Sequence, residues 1–202
     1  MLLRECTRLR LELSRGVADA MGAFGDEADL FKAVEVYRAV VNKVGPSCGA
    51  HSSLMTNAGV ALKELHLATG NSGLLDEAIK VLDYALGLAS PNSPVRIDRL
   101  SGLANALRVR WLQLRNVEDL ERMHLLYEEA VRQSRSGSPS RAGHLANLAV
   151  ADLDRYIAYG KANDFDRAKF HADEAASECP ERSSDRLKIE EIQRHISLIH
   201  TK

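Results

Sequence analysis

Cys48 and His51, in the run "CGAH", are the residues whose types and spacing come nearest to metal chemistry. C-x-x-H is half of a structural zinc site, but zinc takes four ligands and no second pair stands at matching spacing. Cys48 is expected instead as a loop residue before a helix; a thiol activated by the helix end is the alternative. His195 and His200 are five apart, about 140° around a helix, so they do not converge on one ligand. His66, His124, His144 and His171 are scattered and read as solvated or edge residues. The chain contains no glycine-rich phosphate loop, no H-E-x-x-H and no G-x-S-x-G, and it shows no nucleophile–base pair at a recognisable spacing. Glu128-Glu129 and Glu190-Glu191 read as solvated faces. The expectation is a non-enzyme with no catalytic residue, metal ligand or cofactor.

Two further residues raise a question that only their elements can answer. Trp111 stands among arginines in "LANALRVRWLQLRN", which suggests a basic-aromatic site. Asp152 stands where hydrophobic periodicity calls for a core residue.

The elements come from a repeat of 45 residues. Leu62 falls on Leu107, and His66 on Trp111 and then Tyr156. Leu75 falls on Leu120 and Phe165, Tyr37 on Leu82 and Tyr127, and Ala85 on Ala130 and Ala175. Gly25, Gly70 and Gly160 share one position, and Pro94 and Pro139 another. Fixed periods of this length indicate stacked arrays of one supersecondary unit. Each unit reads as two helices. Leu100, Leu103, Ala104, Leu107, Trp111 and Leu114 form an apolar stripe at helical spacing, and Leu120, Met123, Tyr127, Ala130 and Val131 form a second. Ser93-Pro94 and Ser138-Pro139 are suited to open first helices, and Asn116 and Asn163 to cap second ones. Short connectors such as "TGNSG" make successive helices antiparallel neighbours.

Ile189, Ile192, Ile196 and Ile199 form one closing helix after a cap at Ser184, and would cover the alanine-rich face before them. The units are about 2–46, 47–91, 92–136 and 137–182, with the capping helix at about 184–200, in one domain covering 1–202. In this frame Trp111 belongs to the packing stripe. Asp152 takes the place of Leu62 and Leu107, and an unpaired buried carboxylate is costly. The preferred reading is that the stripe rotates and Leu153 takes over; the alternative is a polar contact reaching into a groove.

Composition narrows the partner class. Lys+Arg 27 against Asp+Glu 28 leaves a net charge of −1, which removes the electrostatic case for nucleic acid or a membrane surface. There is no apolar run of about 18 residues, and the apolar N-terminal stretch is broken by charges, unlike a signal peptide. Three widely spaced cysteines make no disulfide framework, so a cytoplasmic location is expected. Nineteen arginines against eight lysines fit a GC-rich genome.

The run "NAGVALKELHLATGNSGLLDEAIKVLDYAL" resembles the long tetratricopeptide-like (TPR) repeats found beside caspase-like CHAT protease domains. The resemblance rests on Ala58-Gly59, Ala61-Leu62, Thr69-Gly70-Asn71 and Leu75-Asp76-Glu77-Ala78-Ile79, and more loosely on Leu103-Ala104, Ala106-Leu107, Arg115-Asn116 and Leu120-Glu121. It implies an all-α, right-handed α-α superhelix, a solenoid of about four helix-turn-helix units with a capping helix. It also implies a bacterial source and a protein or peptide partner held on the concave, first-helix face, such as a separately encoded effector or protease. The off-stripe positions carried over to that groove are Thr56, Lys63, Glu64, Ser101, Asn105, Arg108 and Asp154. Val60, Val109, Ala146, Val150 and Leu153 lie beside them, with Arg15 and Asp19 at the N-terminal end. Arg108 and Lys63 suit a carboxylate. The function expected is that of an interaction scaffold or adaptor. The alternatives are a small-molecule- or peptide-sensing module, or an enzyme using an inter-helix pocket. A further reading is self-association through the apolar N-terminal end, Met1-Leu2-Leu3.

Overall fold

The computed structural model describes residues 27–43, 51–91, 93–138 and 140–200. Arg15, Asp19, Cys48 and the N-terminal Met1-Leu2-Leu3 lie outside them. Among the described residues there are eight helices and no strand. They are α1 (Glu27–Lys43), α2 (His51–Thr69), α3 (Ser72–Gly87), α4 (Pro94–Leu114), α5 (Val117–Gln133), α6 (Arg141–Tyr159), α7 (Ala162–Glu178) and α8 (Arg186–His200). The chain divides into two compact units, Met1–Ser93 and Pro94–Lys202, at a boundary between repeats.

In the first unit α1 packs on α2 and α2 on α3. Val34, Leu62, Leu65, Leu74 and Ala78 form a core cluster there. A Cβ built on Gly59 would lie 2.4 Å from Leu82 Cγ, so the missing side chain lets α2 approach α3 closely. In the second unit α4 to α8 pack in succession, and α6 also touches α8. The predicted stripe from Leu100 to Trp111 is buried. Leu114 is not: it is 69% exposed, because α4 ends there and its last turn runs past the core.

The repeat is visible in the turns. Gly70 (φ 73°), Arg115 (φ 55°) and Gly160 (φ 67°) are 45 residues apart and all take the left-handed conformation that ends a first helix. Asn71 and Asn116 then cap the second helices, their side chains accepting from Gly73 N at 3.0 Å and Glu118 N at 2.9 Å. The same position in the next unit is Lys161, which gives no side-chain cap. Asn163, expected to cap α7, lies inside it, because the left-handed Gly160 starts the new helix two residues earlier. Ser184 is not the cap of α8 either; Ser183 Oγ accepts from Asp185 N at 3.2 Å.

Polar contacts recur with the same period. Arg110 pairs with Asp119 at 2.7 Å, and Arg155 with Asp164 at 3.3 Å, tying each first helix to the first turn of its second helix. A carboxylate at that end is also favoured by the helix dipole. The equivalent residues in the first unit are Leu65 and Leu74, packed in one apolar cluster. Arg96–Glu129 and Arg141–Glu174 form a second echo, at 3.1 and 3.0 Å, and the first unit has the edge-on ring pair His51–Tyr84 there. Arg38–Glu77 and Glu128–Arg167 occupy matching places on consecutive second helices with the charges exchanged.

The closing helix follows this frame too. Arg186 donates to the carbonyl of Ala176 at 3.2 Å, as Arg141, 45 residues earlier, donates to that of Val131 at 2.8 Å. Ile189, Ile192 and Ile196 join Ala168, Ala172 and Ala175 in one core cluster. The alanine-rich face of α7 is thereby covered.

Candidate functional site

The first helices of the second unit are α4, α6 and α8. Because each continues the same frame, residues 45 apart line up across them: Asn105, Val150 and His195; Arg108, Leu153 and Leu198; Val109, Asp154 and Ile199. Seven of these nine, all but Asn105 and Val109, line one pocket. An open pocket of about 610 Å³ is lined by Arg108 from α4, by Val150, Leu153, Asp154 and Ile157 from α6, and by Ile192, His195, Leu198 and Ile199 from α8. Its wall is mainly aliphatic, and Ile157 and Leu198 are well exposed.

The polar part of the wall is an ion pair. Arg108 Nε donates to Asp154 Oδ2 at 2.7 Å. Burial pushes the Asp154 carboxyl above the usual carboxylate range, against the opposing pull of Arg108 and Arg115. Asn105 is exposed and accepts from the buried Tyr127 hydroxyl at 2.6 Å. Ser101 is buried, with its hydroxyl 3.0 Å from His144 Nδ1. Burial holds the His144 pKa below its ordinary value. A serine–histidine pair invites comparison with a nucleophile and its base. Both groups are buried, and no carboxylate is hydrogen-bonded to the ring, whose Nε2 has no partner. The arrangement is a packing contact.

In the first unit the expected residues do not gather around a cavity. Thr56 bonds to the Ser52 carbonyl of its own helix at 3.0 Å, and Lys63 pairs with the adjacent Glu64 at 2.5 Å. None of the three lines the 300 Å³ cavity of that unit, which is bounded by residues including Val34, Tyr37, Met55 and Leu62.

Asp152 is the main correction. The stripe was expected to rotate it out of the core, with Leu153 in its place. Both are buried, and Asp152 is fully so. His124 Nε2 lies 2.8 Å from Oδ1, His171 Nδ1 2.7 Å from Oδ2, and Arg167 Nε 3.2 Å from Oδ1. Arg167 is held in turn by Glu128. Burial raises the carboxyl pKa, but the two histidine bonds and the Arg167 charge outweigh it, so Asp152 titrates below its ordinary range. Asp152 faces the second helices α5 and α7, away from the pocket. His124 and His171 are thus partners of a buried carboxylate rather than solvated edge residues.

Trp111 is in the core, with the Arg115 guanidinium 5.2 Å from its ring centroid. Among the described residues no group of three His, Cys, Asp or Glu is arranged to hold a metal ion. No described helix is long and apolar enough to cross a membrane.

Solved structures with the same architecture include a protein of Podosopora anserina, assigned as a kinesin light chain, with nearly identical TPR-like repeats. It aligns with a TM-score of 0.68 and 17% identity, covering 97% of this chain and 88% of the other. The fold is TPR-like. BtubC (BKLC) from P. vanneervenii aligns with a TM-score of 0.58 and 19% identity, covering 97% and 91% of the two chains. No family model matches the sequence. In sequence the chain is 28% identical over 166 residues to an argininosuccinate lyase of Methanothrix thermoacetophila. That match covers 76% of this chain and only 31% of the lyase.

The α8 contribution to the pocket escaped the sequence reading, which treated the last helix as a departure from the repeat. Carrying the 45-residue offset one step further, from Val150 to His195 and from Leu153 to Leu198, is the signal that would have found it.

Proposed function

We propose that this chain is a non-catalytic scaffold that binds a protein or peptide partner on the first-helix face of its second unit. The supporting observation is the pocket itself: equivalent positions of three successive first helices supply an open, mainly aliphatic wall with one ion pair in it. Exposed aliphatic side chains gathered in a groove mark an interaction surface. Arg108 and Asp154, carried over from the repeat resemblance, belong to this surface. Asn105, exposed on α4 one turn before Arg108, is a further candidate contact, while Ser101 serves packing. Thr56, Lys63 and Glu64 are the positions that the same resemblance offers, separately, on the first unit. A separately encoded effector or protease in a bacterial cytoplasm is the type of partner that the resemblance to CHAT-associated repeats favours.

The test is a photo-cross-linking amino acid placed at Leu198 on the pocket wall, and at Leu125 on the exposed side of α5, in cells of the source organism. A discrete protein adduct at 198 and none at 125 is the expected result. Adducts of equal yield at both positions, or at neither, would remove the pocket as the binding surface.

A further inference from the structure

Arg108 differs from the other arginines that join helices in this protein. Arg38, Arg110, Arg141, Arg155 and Arg167 each engage a terminal guanidinium nitrogen as well as Nε. Arg108 bonds through Nε, and among the described residues its two terminal nitrogens carry no hydrogen bond, while the residue itself lines the pocket. Its side chain is about one-third exposed, while that of Asp154 is almost closed to solvent. One edge of the guanidinium is therefore fixed and the other is left presenting donors. Arg115 and Lys188 are within electrostatic reach of the pair, with Asp185 beside Lys188. Arg108 and Arg115 stand against the single Asp154 carboxylate, which Arg108 already holds; Lys188, whose pKa burial lowers, is bonded to Asn147. His195 adds no negative charge. The pocket therefore pairs an aliphatic wall with guanidinium donors.

Building on the scaffold reading, we propose that the occupant is an acidic, aliphatic peptide segment. Its leucine- or isoleucine-type side chains pack on Ile157, Ile192 and Leu198, and an aspartate or glutamate one turn away, or a terminal carboxylate, meets the terminal nitrogens of Arg108. A guanidinium with a free edge takes a carboxylate through two parallel bonds, a stronger and more directional contact than one lysine gives.

The experiment selects peptides from a random dodecapeptide display library on the full chain. The enriched sequences are then made synthetically and their binding is followed by fluorescence polarisation. Sequences rich in Leu, Ile or Val around an Asp or Glu are expected. Replacing that acid by its amide in the peptide should weaken binding at least about tenfold, the loss typical of a charged hydrogen bond. The protein variant Arg108→Gln/Asp154→Asn, an amide pair in place of the ion pair, should lose the same factor. Arg132→Gln, on exposed α5 surface, should not. Peptides that are displaced by Leu198→Arg yet carry no acid, prefer a basic residue or ignore the amide exchange would overturn this inference and leave the scaffold reading intact. If no selected peptide responds to Leu198→Arg, both fail.

Discussion

Asp152 and Asp154 are two residues apart on α6 and shift in opposite directions, which separates two uses of a buried carboxylate. Asp152 accepts from two histidines and an arginine, and its pKa falls; Asp154 has one partner, and burial raises it. A depressed folded-state pKa means that Asp152 stabilises the fold above the unfolded carboxylate value of about 4, and that this stability is lost as pH falls below it. Asp154 has the reverse sign: its contribution is largest in acid and is lost as pH rises through its raised pKa. Asp152→Asn should therefore destabilise the second unit at pH 7. The size is about 3–5 kcal/mol, as for breaking a buried charged network. In urea unfolding the gap between Asp152→Asn and the parent should narrow from pH 7 to pH 3. An unchanged gap would mean that the carboxylate charge is not what the histidines hold. Replacing the whole cluster by apolar residues is a different experiment, because burying charge carries its own cost.

At the scale of the element, the sequence shows where helices begin and end wherever one residue decides it. Gly70 and Gly160 announce left-handed turns, and Asn71 and Asn116 announce caps. Arg115 does not announce its turn, since nothing in an arginine's chemistry favours a positive φ. The packing of α4 against α5 holds it there at a cost of roughly 1–2 kcal/mol. Arg115→Gly should recover up to about 1 kcal/mol, the remainder being offset by loss of the contact with Trp111. Gly160→Ala should cost about 1 kcal/mol at the equivalent place. Thermal melts of the two variants moving in the same direction would contradict a shared turn conformation. Helix pairing and the main stripe were likewise legible, because period and apolarity set them. The partners of Asp152 were not. They lie 28, 15 and 19 residues away on two other helices, and no local pattern links a histidine on α5 to a carboxylate on α6. The pocket was half legible, since Arg108 and Asp154 follow from the frame on α4 and α6 but its α8 wall follows only if the frame continues.

For the second unit as a whole, the question is how α8 differs from the first helices that precede it. On α6 the stripe turned towards its own second helix is Arg141, Leu145, Ala149, Asp152 and Tyr156. Arg141 reaches Glu174 and Glu178, Asp152 reaches Arg167 and His171, and Tyr156 packs against Phe165. Leu145, Ala149 and Asp152 are all buried. The same frame on α8 gives Glu190, Arg194 and Ser197, which are exposed. The helix thus keeps the isoleucines that cover α7 and carries polar residues on the stripe that α6 turns towards its second helix. Restoring the α6 pattern should remove that polarity. Glu190→Leu/Arg194→Ala/Ser197→Leu leaves Ile189, Ile192 and Ile196 untouched, so helicity by circular dichroism should be retained. The new apolar stripe, continuous with the exposed Leu187, should drive self-association. By light scattering, the mean mass of this variant should rise with concentration more steeply than that of the parent chain. A mass that tracks the parent across the same range would show that the polar stripe of α8 does not restrain self-association.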